Sequence, residues 1–305
     1  MTVAVDIGGT SIRITRIGDD PPGIPDTVLT LPTPPDIGGI ADRIIGTIAD
    51  LGPTKAIGVG CAGLVDAGEG VATWMPHASG REAGIGEALM ERFAVPVLVD
   101  NDANLAAFAE AQRGAGIGFR MVLMVTVGTG IGAGLVIDGR IERGRGGLGE
   151  VGHMRLAPDP RCACGLSGCW EALGSGRVLD AGAAALLGPG AGAADLVRAA
   201  AAGDGAAVAH LRTVGEWLGV GLGNLITTLD PDVIVVGGGA AEAGDALLGP
   251  ASRYLEARGG GLAVAGIPPV VPAAFGPSAV LVGAAMAASA LAGNVGGRDT
   301  EDTTR

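Results

Sequence analysis

Met121 to Ile137 reads MVLMVTVGTGIGAGLVI, an apolar run, a turn at Gly128-Thr129-Gly130-Ile131-Gly132 and a second apolar run, with Asp138-Gly139 directly after it. The spacing predicts a strand, a glycine turn that bares backbone N–H groups, and a return strand over 133–137 closed by a tight hairpin turn. The same plan occurs at the start of the chain. Thr2 to Thr10, TVAVDIGGT, is a short β-rich run ending in Asp6 and the turn Gly8-Gly9-Thr10, and Ser11 to Ile17 alternates as its partner strand. Bare N–H groups at a turn suit a phosphate, and a carboxylate at a strand end suits a magnesium-bound water. Either motif alone reads equally well as a plain hairpin; the duplication is the stronger signal.

Directly after the second unit comes Gly149 to Glu171, GEVGHMRLAPDPRCACGLSGCWE, with three of the four cysteines beside one of three histidines. His153, Cys162, Cys164 and Cys169 read H-x8-C-x-C-x4-C. Three thiolates and an imidazole complete the tetrahedral shell of a structural zinc, with no position left for water. Gly165 and Gly168 suit a chain that wraps a metal, and Glu150 and Glu171 bracket the knot. The alternative is a set of buried free thiols with a surface histidine.

Further out, a helix over 37–51 is expected from Ile40, Ile44, Ile45 and Ile48, and a buried strand over 56–61 leads into the turn Gly63-Leu64-Val65-Asp66. Cys61 reads as a core residue, with no base near it in sequence. A helix over 85–93 precedes a strand over 95–99 that delivers Asp100-Asn101-Asp102-Ala103-Asn104 to a helix ending at Gly114. Asp102 then lies near a positive helix end, where residues alone favour an N-cap aspartate. Beyond the cysteines, helices are expected over 175–187, 193–202 and 208–229. Val233 to Val236 is a buried strand running into Gly237-Gly238-Gly239, a turn without side chains on which a base and ribose could lie. A strand-like stretch over 266–272 and an Ala-rich helix over 278–291 follow.

The 305 residues, too many for one small core, suit two lobes. A formal charge of -12 with 48% hydrophobic residues describes an acidic soluble protein, which argues against nucleic acid and anionic membranes as partners. The sequence shows neither an apolar run near the length of a membrane span nor a charged-then-apolar leader, and its cysteines sit at metal spacing, so a cytoplasmic location is expected.

With G-E-x-G-H followed by C-x-C-G-x-x-G-C-x-E, and with the D-x-G-G-T, N-D-A-N and G-T-G motifs, the chain resembles the ROK family of sugar kinases and repressors from about Val3 to Ala290. The resemblance implies a two-lobed α/β protein of the actin-like ATPase (ribonuclease H-like) fold, with a smaller lobe over 1–116 plus 278–292, a larger lobe over 117–277 and a tail over 293–305. It implies ATP with Mg2+, a hexose substrate, structural Zn2+ and a homodimer. Asp102 becomes the base; Asp6 serves the magnesium; Gly8, Gly9, Thr10, Thr129 and Gly130 hold phosphates; Gly238 and Gly239 meet the adenosine. Gly63, Asn101, Glu150, His153 and Glu171 join Asp102 at the sugar, His153 doubling as a zinc ligand. Where family members usually show P-G-x-V-D, this chain has Ala62 in place of proline. Where glucose kinases usually carry an asparagine-bearing stretch, it offers Trp74, Pro76, His77 and Arg81, which leaves glucose and a glucose-configured amino sugar as the expected substrates. A family repressor would need a helix-turn-helix ahead of the first strand, where only Met1 and Thr2 stand. A sugar sensor without catalysis would have no reason to keep Asp102.

Overall fold

A computed structural model of the chain describes residues 1–18, 23–75, 78–258 and 266–298. The first turn unit opens a mixed sheet. β1 (Thr2–Ile7) is buried along its whole length because it lies between two neighbours, β2 (Ser11–Ile17) and β4 (Ile57–Cys61). With β3 (Leu29–Pro32) and β7 (Val97–Asn101) the order is β3-β2-β1-β4-β7; β3, β2 and β1 run antiparallel, and β1, β4 and β7 run parallel. A small hairpin, β5 (Leu64–Asp66) with β6 (Val71–Trp74), stands beside it, and α1 (Gly38–Asp50) and α2 (Ile85–Phe93) cover one face.

The second unit repeats this plan. β8 (Met121–Val127), β9 (Ile131–Ile137), β10 (Arg140–Glu142), β11 (Val233–Gly237) and β12 (Val270–Pro272) form a sheet of order β10-β9-β8-β11-β12, with the same parallel and antiparallel sense at each step. α5 (Gly176–Leu187), α6 (Ala193–Ala201), the long α7 (Gly205–Leu229) and α8 (Asp245–Arg258) build the core on one face of this sheet. One topology used twice is the architecture of the actin-like ATPase fold expected from the paired turns.

Two helices lie between the sheets. α3 (Asp102–Arg113) starts on the residue after β7, and α9 (Ala279–Arg298) packs along it. Ala106 and Ala107 of α3 share a core with Val122, Met124 and Val136 of the second sheet, while Leu105 packs with Ala4, Leu281 and Ala284. Side chains are removed where backbones nearly touch. A Cβ on Gly134 would lie 2.3 Å from the Ala103 carbonyl oxygen, and one on Gly58 would lie 2.0 Å from that of Ala284. β9 is thus closed onto the start of α3, and β4 onto α9.

The sequence reading set strand and helix limits close to these, with instructive shifts. β7 runs on to Asn101, so no loop separates the strand from the catalytic candidate. α9 continues to Arg298, six residues into the stretch expected to be a tail; residues 299–305 lie outside those described. The stretch Gly276–Gly293, with a mean hydropathy of 1.5, is also long and apolar enough to cross a membrane, contrary to the expectation of no such run. Its Leu281, Val282, Ala284, Ala285 and Ala288 are buried within the protein, so the apolarity serves packing.

Candidate active site

At the start of α3 the backbone is held by side chains. Asn101 has extended φ/ψ and is the helix N-cap, its Oδ1 accepting from the Asn104 N–H at 3.1 Å. The capping role that residues alone gave to Asp102 therefore belongs to Asn101, which frees the Asp102 carboxylate. Asn101 Nδ2 donates to the Gly63 carbonyl at 3.0 Å, so two predicted sugar residues, one ending β7 and one in the turn after β4, are brought together. Gly63 has φ +112, and a Cβ there would lie 2.2 Å from the Trp74 carbonyl oxygen, so no other residue fits.

Four carboxylates from distant parts of the sequence influence one another across the site. Burial pushes the Asp102 carboxyl up to about 7, helped by the Asp6 charge and, less, by Glu150, while a hydrogen bond from the Ala103 N–H pulls the other way. Burial also raises Asp6, opposed by Arg13, whose Nε donates to Asp6 Oδ2 at 2.9 Å and whose Nη2 pairs with the same oxygen. Glu150 is raised by partial desolvation; His153 pulls it down and Glu171 pushes it back up. Glu171 itself begins α4 (Glu171–Gly174) and accepts from the Ile131 N–H at 3.1 Å. Its Oε2 lies 2.2 Å from where a Gly130 Cβ would be, so the second glycine turn abuts the carboxylate expected at the sugar.

The remaining turn residues sit at the ends of the duplicated strands. Gly8, Gly9 and Thr10 join β1 to β2, with the Gly8 N–H bonded to the Ser11 carbonyl at 2.9 Å. Thr129 heads the equivalent turn, where the Gly128 N–H bonds to the Gly130 carbonyl at 2.9 Å. Gly238 packs on the end of β8, a Cβ there falling 2.6 Å from the Val127 oxygen, while Gly239 faces open space. Adenosine and phosphate candidates on the second sheet are therefore adjacent.

The cysteine knot is one cluster. One ligand atom from each of His153, Cys162, Cys164 and Cys169 lies within 4.8 Å of the others. Cys164 Sγ and Cys169 Sγ are 3.7 Å apart, close to the edge of about 3.8 Å that a tetrahedron with metal–sulfur bonds of about 2.3 Å requires. His153 Nδ1 faces Cys162 Sγ at 3.9 Å, and its Nε2 faces Glu150 Oε2 at 3.7 Å. The donor set and spacing fit a zinc ion bound through Nδ1, with Nε2 turned toward Glu150. Between Cys169 and Glu171, Trp170 is fully buried and donates from Nε1 to the Trp217 carbonyl of α7 at 2.9 Å, which anchors the knot to the core.

Sequence reasoning missed Arg13, Asp100 as an anchor, and Arg143. Arg13 was within reach, since a hairpin in which Gly8 meets Ser11 sets Asp6 opposite Arg13. Arg143, whose Nε and Nη2 donate to Asp100 Oδ2 at 2.9 and 2.6 Å, carries no local signal. Cys61 is fully buried, as expected of a core residue. In the stretch 74–81 that departs from the family pattern, Trp74 is 44% exposed; Pro76 and His77 lie outside the described residues.

A duplicated sheet with glycine turns at equivalent strand ends and carboxylates in the cleft between defines a phosphotransferase of the actin-like ATPase class. The ROK family profile matches residues 2–290, and the chain belongs to the ROK family. It is 34% identical over 307 aligned residues to the glucokinase of Streptomyces coelicolor, covering 93% of this chain and 96% of that one. The N-acetyl-D-glucosamine kinase of Photobacterium profundum is 32% identical over 78% of this chain and 84% of its own. Among solved structures, the ROK glucokinase of Streptomyces griseus in complex with glucose and AMPPNP superposes with a TM-score of 0.84 at 35% identity, covering 94% and 98% of the two chains. The ROK hexokinase of Thermus thermophilus gives a TM-score of 0.76 at 34% identity, covering 96% and 99%.

Proposed function

We propose that the chain is an ATP-dependent glucokinase that transfers the γ-phosphoryl group of ATP to O6 of glucose. One observation carries the reading: a carboxyl at a helix start, Asp102, has its proton affinity raised to about 7 beside Asp6 and Glu150. A base for an alcohol acceptor is most effective with a pKa near the working pH. As the attacking hydroxyl forms its bond to phosphorus, its proton passes to Asp102, the bond from γ-phosphorus to the bridging oxygen breaks, and ADP leaves. Phosphoryl transfer otherwise asks for positioning and charge neutralisation. Gly8, Gly9, Thr10, Thr129 and Gly130 are the phosphate residues of this reading, and Gly238 and Gly239 meet the adenosine. Bound with ATP, magnesium would neutralise phosphate oxygens, and Asp6 is the carboxylate assigned to its water shell. Gly63, Asn101, Glu150, His153 and Glu171 hold the sugar, the carboxylates accepting from adjacent hydroxyls.

His153, Cys162, Cys164 and Cys169 would hold one structural zinc, fixing the ring of His153 so that its free N–H is available to Glu150 and the sugar. The reading includes a homodimer in the cytoplasm, which light scattering on the purified protein tests in its first part. A second substrate, a glucose-configured amino sugar, is kept in view because the stretch 74–81 departs from the glucose-kinase pattern and because an N-acetyl-D-glucosamine kinase is among the relatives. An ADP-release assay over glucose, mannose, fructose, N-acetylated hexosamines and amino-deoxyglucoses tests the activity and the choice of sugar. Glucose is expected to give the highest kcat/KM; no ADP release with any of them would overturn the reading.

A further inference from the structure

The loop that leads from β10 to Glu150 leaves the second sheet and touches the first lobe twice. Arg143 reaches Asp100 through Nε and Nη2, both onto Oδ2. Gly146, with φ +94, lies against the Val65 carbonyl of the small hairpin, a Cβ there falling 3.6 Å from it. Asp100 is not a surface partner, since its side chain is only 2% exposed. Its other oxygen accepts from the Asn101 N–H at 2.8 Å and from Asn104 Nδ2 at 3.0 Å. One carboxylate thus ties the loop of the second lobe to the residues that cap α3 and hold the Gly63 turn, while standing outside the reaction itself.

We propose that Arg143 and Asp100 are positioning residues, a latch that holds Asn101 and Asp102 on one side of the sugar and Glu150 and His153 on the other at a fixed separation. The proposal rests on the sugar site assigned above. A forked guanidinium suits this task because two donors of one rigid plane converging on a single oxygen fix orientation as well as distance. Removing it leaves a buried carboxylate with asparagine and backbone donors only, free to shift the helix start it anchors.

Steady-state kinetics of the wild type, Arg143→Lys, Arg143→Met and Asp100→Asn, with each substrate varied against saturation by the other, tests the latch. In Arg143→Met, kcat/KM for glucose should fall about a hundredfold, the order expected when catalytic groups are displaced by about 1 Å, while KM for ATP stays near the wild-type value. Arg143→Lys, which keeps the charge and loses the fork, should recover part of the loss. The double variant Arg143→Met/Asp100→Asn should be no worse than the worse single one. Unchanged glucose kinetics in Arg143→Met, or an equal loss for both substrates that follows melting temperature, would overturn the latch. Hydrogen exchange on the wild type needs no variant. Glucose should protect amides over 100–104 and 143–150 together, and protection of one side alone would also overturn it. A wild type inactive on every sugar would sink the kinase reading instead, and exchange with glucose would still read the latch.

Discussion

Asp102 shows how one side chain is prepared by what surrounds it. Its carboxyl is pushed from 3.8 to about 7 by burial and by Asp6. kcat/KM should therefore fall as pH drops below about 7, because the protonated acid cannot accept the hydroxyl proton. Asp102→Asn keeps size and most hydrogen bonds, so it should bind both substrates and lose about a hundred- to ten-thousandfold in kcat. The same shift has a stability consequence of opposite sense. Between about 4 and 7 the folded protein holds a proton that the unfolded chain has released, so this group's favourable contribution is complete below about 4 and lost as pH rises through 7. Thermal melts should show Asp102→Asn more stable than wild type at pH 8, with the advantage gone near pH 4. A variant that retains a third of wild-type turnover, or that melts below wild type at pH 8, would remove Asp102 from the role of base.

Among the elements, the cysteine segment was the most legible, because its ligands lie within 17 positions of one another in the sequence and spacing alone assembles them. Replacing Cys164 with Ser should release the metal and abolish activity together, since Glu150 and Glu171 flank one knot. Elemental analysis checks the first half and the ADP assay the second; full activity with no bound metal would refute the link. The strands were legible too, since buried runs and glycine turns alternate in the order the sheets use. Neither the close crossing of α3 and α9 nor the Arg143–Asp100 pair could be read this way. Both join residues far apart in sequence, and a glycine that admits a neighbouring backbone looks the same in a sequence as one that makes a turn. Gly58→Ala tests how α9 lies on β4, and Gly134→Ala how α3 lies on β9. Each would set a methyl group within 2.0 and 2.3 Å of a carbonyl oxygen, respectively, and should destabilise by about 1–3 kcal/mol in denaturant melts.

At the scale of the whole molecule, the proposed sugar residues come from both sheets, so glucose binding and folding should be linked. Glucose at about a hundred times its Kd should add about 2.7 kcal/mol to the stability of the folded state. A calorimetric scan with and without glucose measures this, and an unchanged transition would contradict a glucose site between the lobes. The packing of α9 against β1, β4 and α3 has a consequence for synthesis. While the chain is being made, the first sheet emerges early, yet the surface around Ala4, Gly58 and Leu105 has no cover until residues beyond 279 leave the ribosome. During that interval a sticky apolar face is open to chaperones and to other nascent chains. A chain released before Ala279 should therefore be recovered in the insoluble fraction or bound to chaperones, even though both glycine turns and the cysteine knot are already complete.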